Sequence, residues 1–112
     1  MDSILTSIKK TLGLAEDYEV FDPDIIMHIN SVFATLCQLG VGPEKAFSIQ
    51  DKTATWSDFL GEETDINSVK SYMGIKVKLL FDSNSLSSAV LDSLQRQANE
   101  FEWRLNVAAD KS

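Results

Sequence analysis

The stretch FDPDIIMHINSVFATLCQLG, Phe21 to Gly40, decides the fold class. Asp22 stands where an N-cap is needed, Pro23 follows at the first helical position, and Gly40 supplies the terminator. Between them Ile25, Ile29, Val32, Phe33, Leu36 and Cys37 recur at intervals of three and four, which puts them on one face of a helix over about 23–39. A helix with one apolar face must bury it against other elements. Cys37, set among Phe33, Leu36 and Leu39, reads as a small buried hydrophobe. It is the only cysteine in the chain, so no disulfide forms within the molecule, which suits a reducing cytosol. His28 lies at the edge of the stripe with no cysteine or second histidine beside it, and reads as a surface or satisfied side chain rather than a ligand or base.

Upstream, Ile4, Leu5, Ile8 and Leu12 give a second, shorter stripe over 3–13, with Asp2 or Ser3 as cap, Lys9 and Lys10 in the last turns and Gly13 as stop. Downstream, a third helix over about 65–81 begins near Thr64 or Asp65. It carries Ile66, Val69, Met73, Val77 and Leu80 on one face, with Tyr72, Ile75 and Leu79 beside it. Two apolar faces imply two neighbours, and Gly74 in the interior suits a close approach by one of them. Asp82-Ser83-Asn84-Ser85 is a break, with Asn84 or Ser85 as the next cap. The last helix, about 86–109, spaces Leu91, Leu94, Ala98, Phe101, Leu105 and Ala108 as a seam, and at 1.5 Å per residue would extend about 36 Å, enough for one end to protrude or lie across a partner. Trp103 falls almost opposite the seam with Val107 one turn beyond, and the residue types suit either a subunit contact or coverage by a loop of the same chain. Arg96, Glu100 and Arg104 form an i,i+4 charge ladder.

The segment 41–63 breaks the period. After Gly42-Pro43 it holds a short extended piece, Phe47-Ser48-Ile49, and a single helical turn from Trp56 to Leu60 capped by Thr55, before Glu62-Glu63 leads into the third helix. Phe47, Ile49, Trp56 and Phe59 are the wrong composition for disorder, so they either cover their own core as a satellite cluster or dock on a neighbouring molecule.

At 112 residues with 44% hydrophobic and 24% charged residues, the chain is one domain, 1–112, that buries about two-thirds of its surface on folding. The expected fold is all-α: a small bundle of about four helices with a long central loop and a long C-terminal helix. Seventeen acids against ten bases give a net charge of −7, which disfavours a nucleic-acid groove reader. Glu16, Asp17 and Glu19, with Asp22 and Asp24, concentrate the acidity in one surface stretch. The start lacks a signal peptide's basic and apolar regions, and no apolar run is long enough to span a bilayer. One histidine and one cysteine leave no zinc cluster and no nucleophile–base pair, and no Gly-rich phosphate loop is present. The expectation is therefore no enzyme, no catalytic residues, no metal and no cofactor. A carboxylate-only hydrolase stays as a minor reading, and a single Asp or Glu change that abolished hydrolysis would support it.

FDPDIIMHINSVFATLCQLGVGP, FSIQDKTATWSDFLG, VKSYMGIKVKLLFD and EFEWRLNVAAD, in this order and spacing, resemble the head-tail connector family of long-tailed bacteriophages and their prophage relatives. These are head-completion or adaptor proteins, often labelled DNA-packaging proteins. The serine-rich stretch from Asn84 to Ser88 departs from the proline-containing break of that family. The resemblance implies an all-helical subunit that forms a twelvefold homo-oligomeric ring between the portal protein and the next head-tail joining or tail protein. DNA passes through such a ring without specific binding, and no membrane is involved. Assembly takes place in the host cytoplasm, and the protein ends at the head-tail junction of the virion. A ring built head-to-tail needs two different complementary patches. The expected contact sets Phe47, Ile49, Trp56 or Phe59 of one subunit near Trp103 and Val107 of the next. The competing reading is a small helical regulatory protein that docks on a phage or host protein through the apolar 41–63 loop.

Overall fold

The computed structural model describes residues 3–41, 47–60, 66–82, 84 and 86–110. Five helices make up the described part: α1 (Ile4–Thr11), α2 (Asp22–Gln38), α3 (Trp56–Leu60), α4 (Ile66–Phe81) and α5 (Ser88–Asp110). The fold is all-α, as expected, with the single turn at Trp56 adding a fifth helix to the anticipated four. Gly42-Pro43, Glu62-Glu63, the Thr64 or Asp65 start of the third helix and the Asp2 and Ser85 caps lie outside the described residues, and so does the side chain of Ala108 in the seam.

Helix α1 starts because Ser3 accepts a hydrogen bond from the Thr6 N–H, 3.2 Å away. It stops at Gly13, whose φ of +79° lets the Leu14 N–H return to the Lys9 carbonyl and the Gly13 N–H to that of Lys10. This paired arrangement satisfies carbonyls the helix end would otherwise leave open. Gly40, at φ +85°, ends α2 in the same way, through Val41 to Leu36 and Gly40 to Cys37.

The start of α2 differs from the sequence reading. Phe21 is the capping residue and makes no side-chain bond, while Asp22 is the first helical residue, which moves Pro23 to the second position. The Asp22 carboxylate is directed elsewhere because Lys9 is buried to 2% exposure, with its ammonium 2.9 Å from Asp22 Oδ1. The Lys9 ammonium also donates a 2.8 Å hydrogen bond to the Glu16 carbonyl, so the pair fastens α1 to both ends of the connection before α2. Removing one partner of a buried pair strands the other charge, at a cost of about 3 kcal/mol.

α4 is the central helix. It packs against α5 on one side and α1 and α2 on the other, which accounts for its two apolar faces. Val69, Tyr72, Met73 and Val77 are fully buried, and they join Ile4, Ile8, Ile25, Ile29, Val32, Phe33 and Leu36 in one core. Gly74 admits α1: a Cβ there would lie 3.1 Å from Thr11 Cγ2, so the close approach comes from a side chain. Leu80, expected on the core face, is 46% exposed because it lies in the last turn, where Phe81 takes the contact with Phe21 at 5.3 Å between ring centres. Cys37 is half-buried rather than buried.

The last helix begins two residues later than expected, at Ser88, because Ser87 accepts the Val90 N–H at 3.2 Å and caps it. Ala98 and Leu105 of its seam are buried, with Leu91, Leu94 and Phe101 half-buried beside them. The Tyr72 hydroxyl donates to Glu102 Oε2 at 2.8 Å, and Lys76 Nζ lies 3.7 Å from the same oxygen. Burial, then the Glu102 bond and charge, push the Tyr72 hydroxyl well above the ordinary tyrosine range. Near the other end, Asn106 Nδ2 donates to the Leu39 carbonyl at 3.4 Å, so the C-terminal part of α5 is held against the end of α2. The protrusion allowed by its length does not occur there.

Candidate interaction surfaces

The two regions singled out for subunit contact occupy opposite environments. Ile49, Trp56 and Phe59 are 3%, 3% and 4% exposed, members of the chain's own core. Phe47 is half-buried, its ring 5.0 Å from that of Phe33 and 5.3 Å from that of Phe59, and the Phe33 and Phe59 rings stand 4.5 Å apart. Of the two homes offered to these side chains, the molecule uses the satellite cluster. In the single subunit the side chains of Ile49, Trp56 and Phe59 are covered by the chain's own core and present no open surface.

Polar contacts explain why the segment 47–60 folds inward. Asn30 of α2 takes the Ile49 N–H at Oδ1, 2.8 Å, and gives Nδ2 to the Ile49 carbonyl, 3.0 Å, so one amide side chain satisfies both backbone groups of a residue in extended chain. Asp51 accepts from the Thr53 hydroxyl and from its N–H, two bonds that hold its carboxyl below the usual range. The Ile4 N–H donates to the Ala54 carbonyl at 3.0 Å, and Thr55 pairs with Ser3 in an antiparallel bridge. Thr55 and Asp58 then cap α3 reciprocally, the Asp58 N–H to Thr55 Oγ1 at 3.3 Å and the Thr55 N–H to Asp58 Oδ2 at 2.8 Å. The Trp56 indole N–H reaches Ser7 Oγ at 3.2 Å, and Lys70 Nζ sits 5.8 Å from the ring centre. Apart from the Thr55 cap, these ties were not read from the sequence. Asn30, a polar residue beside the apolar stripe of a helix, was the available signal.

Trp103 is the reverse case. It is 67% exposed on the side of α5 that faces away from α4, and no described part of the chain covers it. Val107, one turn on, is half-buried. Arg104 pairs with Glu100, while Arg96 Nε lies 3.5 Å from the Asp92 carbonyl, so the charge around the indole is nearly balanced. The structure does not bring Trp103 and the loop residues together within one subunit.

Glu16, Asp17 and Glu19 are exposed in the connection between α1 and α2, interleaved with Tyr18 at 43% and Val20 at 68% exposure. They occupy the end of the molecule where Phe21 meets Phe81. Asp22 and Asp24, grouped with them in sequence, part company: Asp22 is taken by Lys9, and Asp24 is exposed on α2. His28 is half-buried on the same helix. Among the described residues no group of three or more His, Cys, Asp or Glu side chains is placed to hold a metal, and no helix is long and apolar enough to cross a membrane.

A family model described as phage connector protein matches residues 4–112. No curated protein and no solved structure matches the chain.

Proposed function

Because the chain belongs to the family of phage connector proteins, a structural class of the virion, we propose that it forms a closed ring of identical subunits joining the portal to the tail. In this reading the ring is twelvefold, completes the DNA-filled head and presents the surface on which the next head-tail joining or tail protein docks. Assembly takes place in the cytoplasm of a bacterial host. The work is mechanical and asks for no cofactor.

The observation that carries the reading is the exposed indole of Trp103 on the outer side of α5. Large aromatics exposed on a subunit serve as anchors when a partner encloses them. A heterologous contact repeated around a closed ring encloses one such residue per subunit. The −7 charge suits a channel through which DNA slides, since like charge keeps phosphates from binding. Within the described part of 41–63, Ile49, Trp56 and Phe59 are core residues, which supports the ring reading over the regulatory one.

Electron microscopy of the full chain mixed with the portal of the same particle tests the proposal. Closed rings seated on the portal are the expected result. A chain that stays monomeric or dimeric with and without portal overturns it.

A further inference from the structure

Trp103 is one exposed anchor, and the opposite end of the bundle carries others. We propose that this end, where Phe21 meets Phe81, is a docking surface for a basic segment of a different protein. An apolar side chain of that segment seats against Tyr18 and Phe21, while its arginine or lysine side chains meet Asp17, Glu19 and Asp24. A single subunit can make this contact, so it stands whether or not copies close into a ring.

Three observations lead there. First, exposed apolar surface gathers at this end. Tyr18, Val20, Phe21 and Leu80 are 43%, 68%, 37% and 46% exposed. The rings are contiguous: Tyr18 lies 5.9 Å from Phe21 and Phe21 lies 5.3 Å from Phe81, each pair edge to face. The Phe33–Phe47–Phe59 cluster has similar spacing, but the chain folds over it. Trp103 belongs elsewhere. The 17 residues of α2 lead from Phe21 about 26 Å to Leu39, where Asn106 of α5 attaches.

Second, the rim has one sign. Glu16, Asp17, Glu19 and Asp24 are exposed, and none has an ion-pair partner among the described residues. Lys9 and Lys78 do not offset them, because Lys9 is taken by Asp22 and the Glu16 carbonyl and Lys78 lies 3.9 Å from Asp82. An apolar patch bordered by carboxylates repels a nucleic-acid backbone or an anionic lipid surface and favours a partner of positive charge. Guanidinium and ammonium groups suit both parts of it, since they bond carboxylates and also lie over aromatic faces.

Third, a second copy does not answer that rim. The lysines of α4 are engaged in their own subunit, Lys70 over Trp56, Lys76 by Glu102 and Lys78 by Asp82. The exposed Lys10, Lys52 and Arg96 stand on three different segments, and a chain of −7 brings more acid than base. The occupant is a protein of another sequence.

Nuclear magnetic resonance on the isotope-labelled full chain tests the surface. The probe is the synthetic peptide Arg-Leu-Arg-Phe-Leu-Arg, with one control carrying glutamate for each arginine and another carrying serine for each leucine and phenylalanine. The arginine peptide is expected to shift amides within 16–24 and 78–82 and to leave the Trp103 indole unmoved, and each control to bind about tenfold more weakly or not at all. Tyr18→Ser with Val20→Ser, and separately Asp17→Lys with Glu19→Lys, should each weaken the arginine peptide about tenfold. The charge pair should also remove most of the weakening that added salt causes. All four side chains are exposed, and the charge pair decides if the apolar pair disturbs the fold. No binding, shifts centred on other residues, or binding indifferent to the charge pair overturns the proposal. So does broadening of the same amides as the chain alone is concentrated, which would assign this end to a second copy. None of these results touches ring closure, which the mixture with portal decides.

Discussion

The segment from Phe47 to Leu60 and the outer face of α5 carry similar aromatic residues, yet one is folded into the core and the other is left in water. Trp56 and Trp103 make the contrast concrete, at 3% and 67% exposure. Hydrophobicity alone does not separate them. The difference lies in whether the chain offers partners for the polar groups that travel with the ring. Trp56 has Ser7 for its indole N–H, a capped turn beneath it and Ile4 to hold the backbone just before it. Burial of an irregular segment is tolerable only when its backbone groups are satisfied, and Asn30 does this for Ile49. Trp103 stands on a helix whose backbone is already satisfied, and among the described residues none covers its outer side; in the proposed ring a neighbouring subunit would supply that cover.

The largest effect expected from this contrast is in the loop. Phe59→Ala empties the centre of the Phe33–Phe47–Phe59 cluster and should cost about 3–5 kcal/mol in denaturant unfolding of the subunit. A cost below 1 kcal/mol would return the loop to the list of surfaces. Asn30→Ala comes next. It leaves the Ile49 N–H and carbonyl without partners and should cost about 2 kcal/mol. Amide exchange at Ile49 should accelerate in that variant while exchange in α4 follows only the global loss.

The inner side of α5 provides the intermediate case. Tyr72→Phe removes the bond to Glu102, whose carboxylate keeps some solvent and Lys76, so the loss at neutral pH should be about 1 kcal/mol. Tyr72 also has a pH signature. Its hydroxyl titrates higher in the folded than in the unfolded chain. The stabilisation is therefore complete below the ordinary tyrosine value of about 10 and is lost as pH rises beyond it. Wild type should lose stability above pH 10 more steeply than Tyr72→Phe, measured by denaturant titration at stepped pH. Equal slopes would show that Tyr72 is not the buried group.

The helices were legible because their signals are local. Ser3, Gly13 and Gly40 act where the sequence puts them, and the three-and-four spacing of α2 and α4 gave most of the core. What was not legible depends on distant partners. Lys9 reads as a last-turn lysine favoured by the helix dipole, and nothing local says that its ammonium will be buried against Asp22 thirteen residues away. That pairing also displaced the expected cap of α2. The candidate surfaces split along the same line. The position of Trp103 opposite its seam follows from helix geometry, and it is exposed as that geometry requires. The fate of Ile49, Trp56 and Phe59 hung on Asn30, Ser7 and Ile4, contacts that span 19, 49 and about 50 residues of chain.

The smallest effect on folding is expected at the residue with the largest expected effect on assembly, and that pairing is the most direct measurement of the account. Trp103→Ala should unfold within 0.5 kcal/mol of wild type, as exposed substitutions do, while sedimentation of the chain with its portal shows the large assembly of wild type replaced by free monomer. A Trp103→Ala chain that assembles as wild type does, or one that loses its fold before it loses its assembly, would contradict the account.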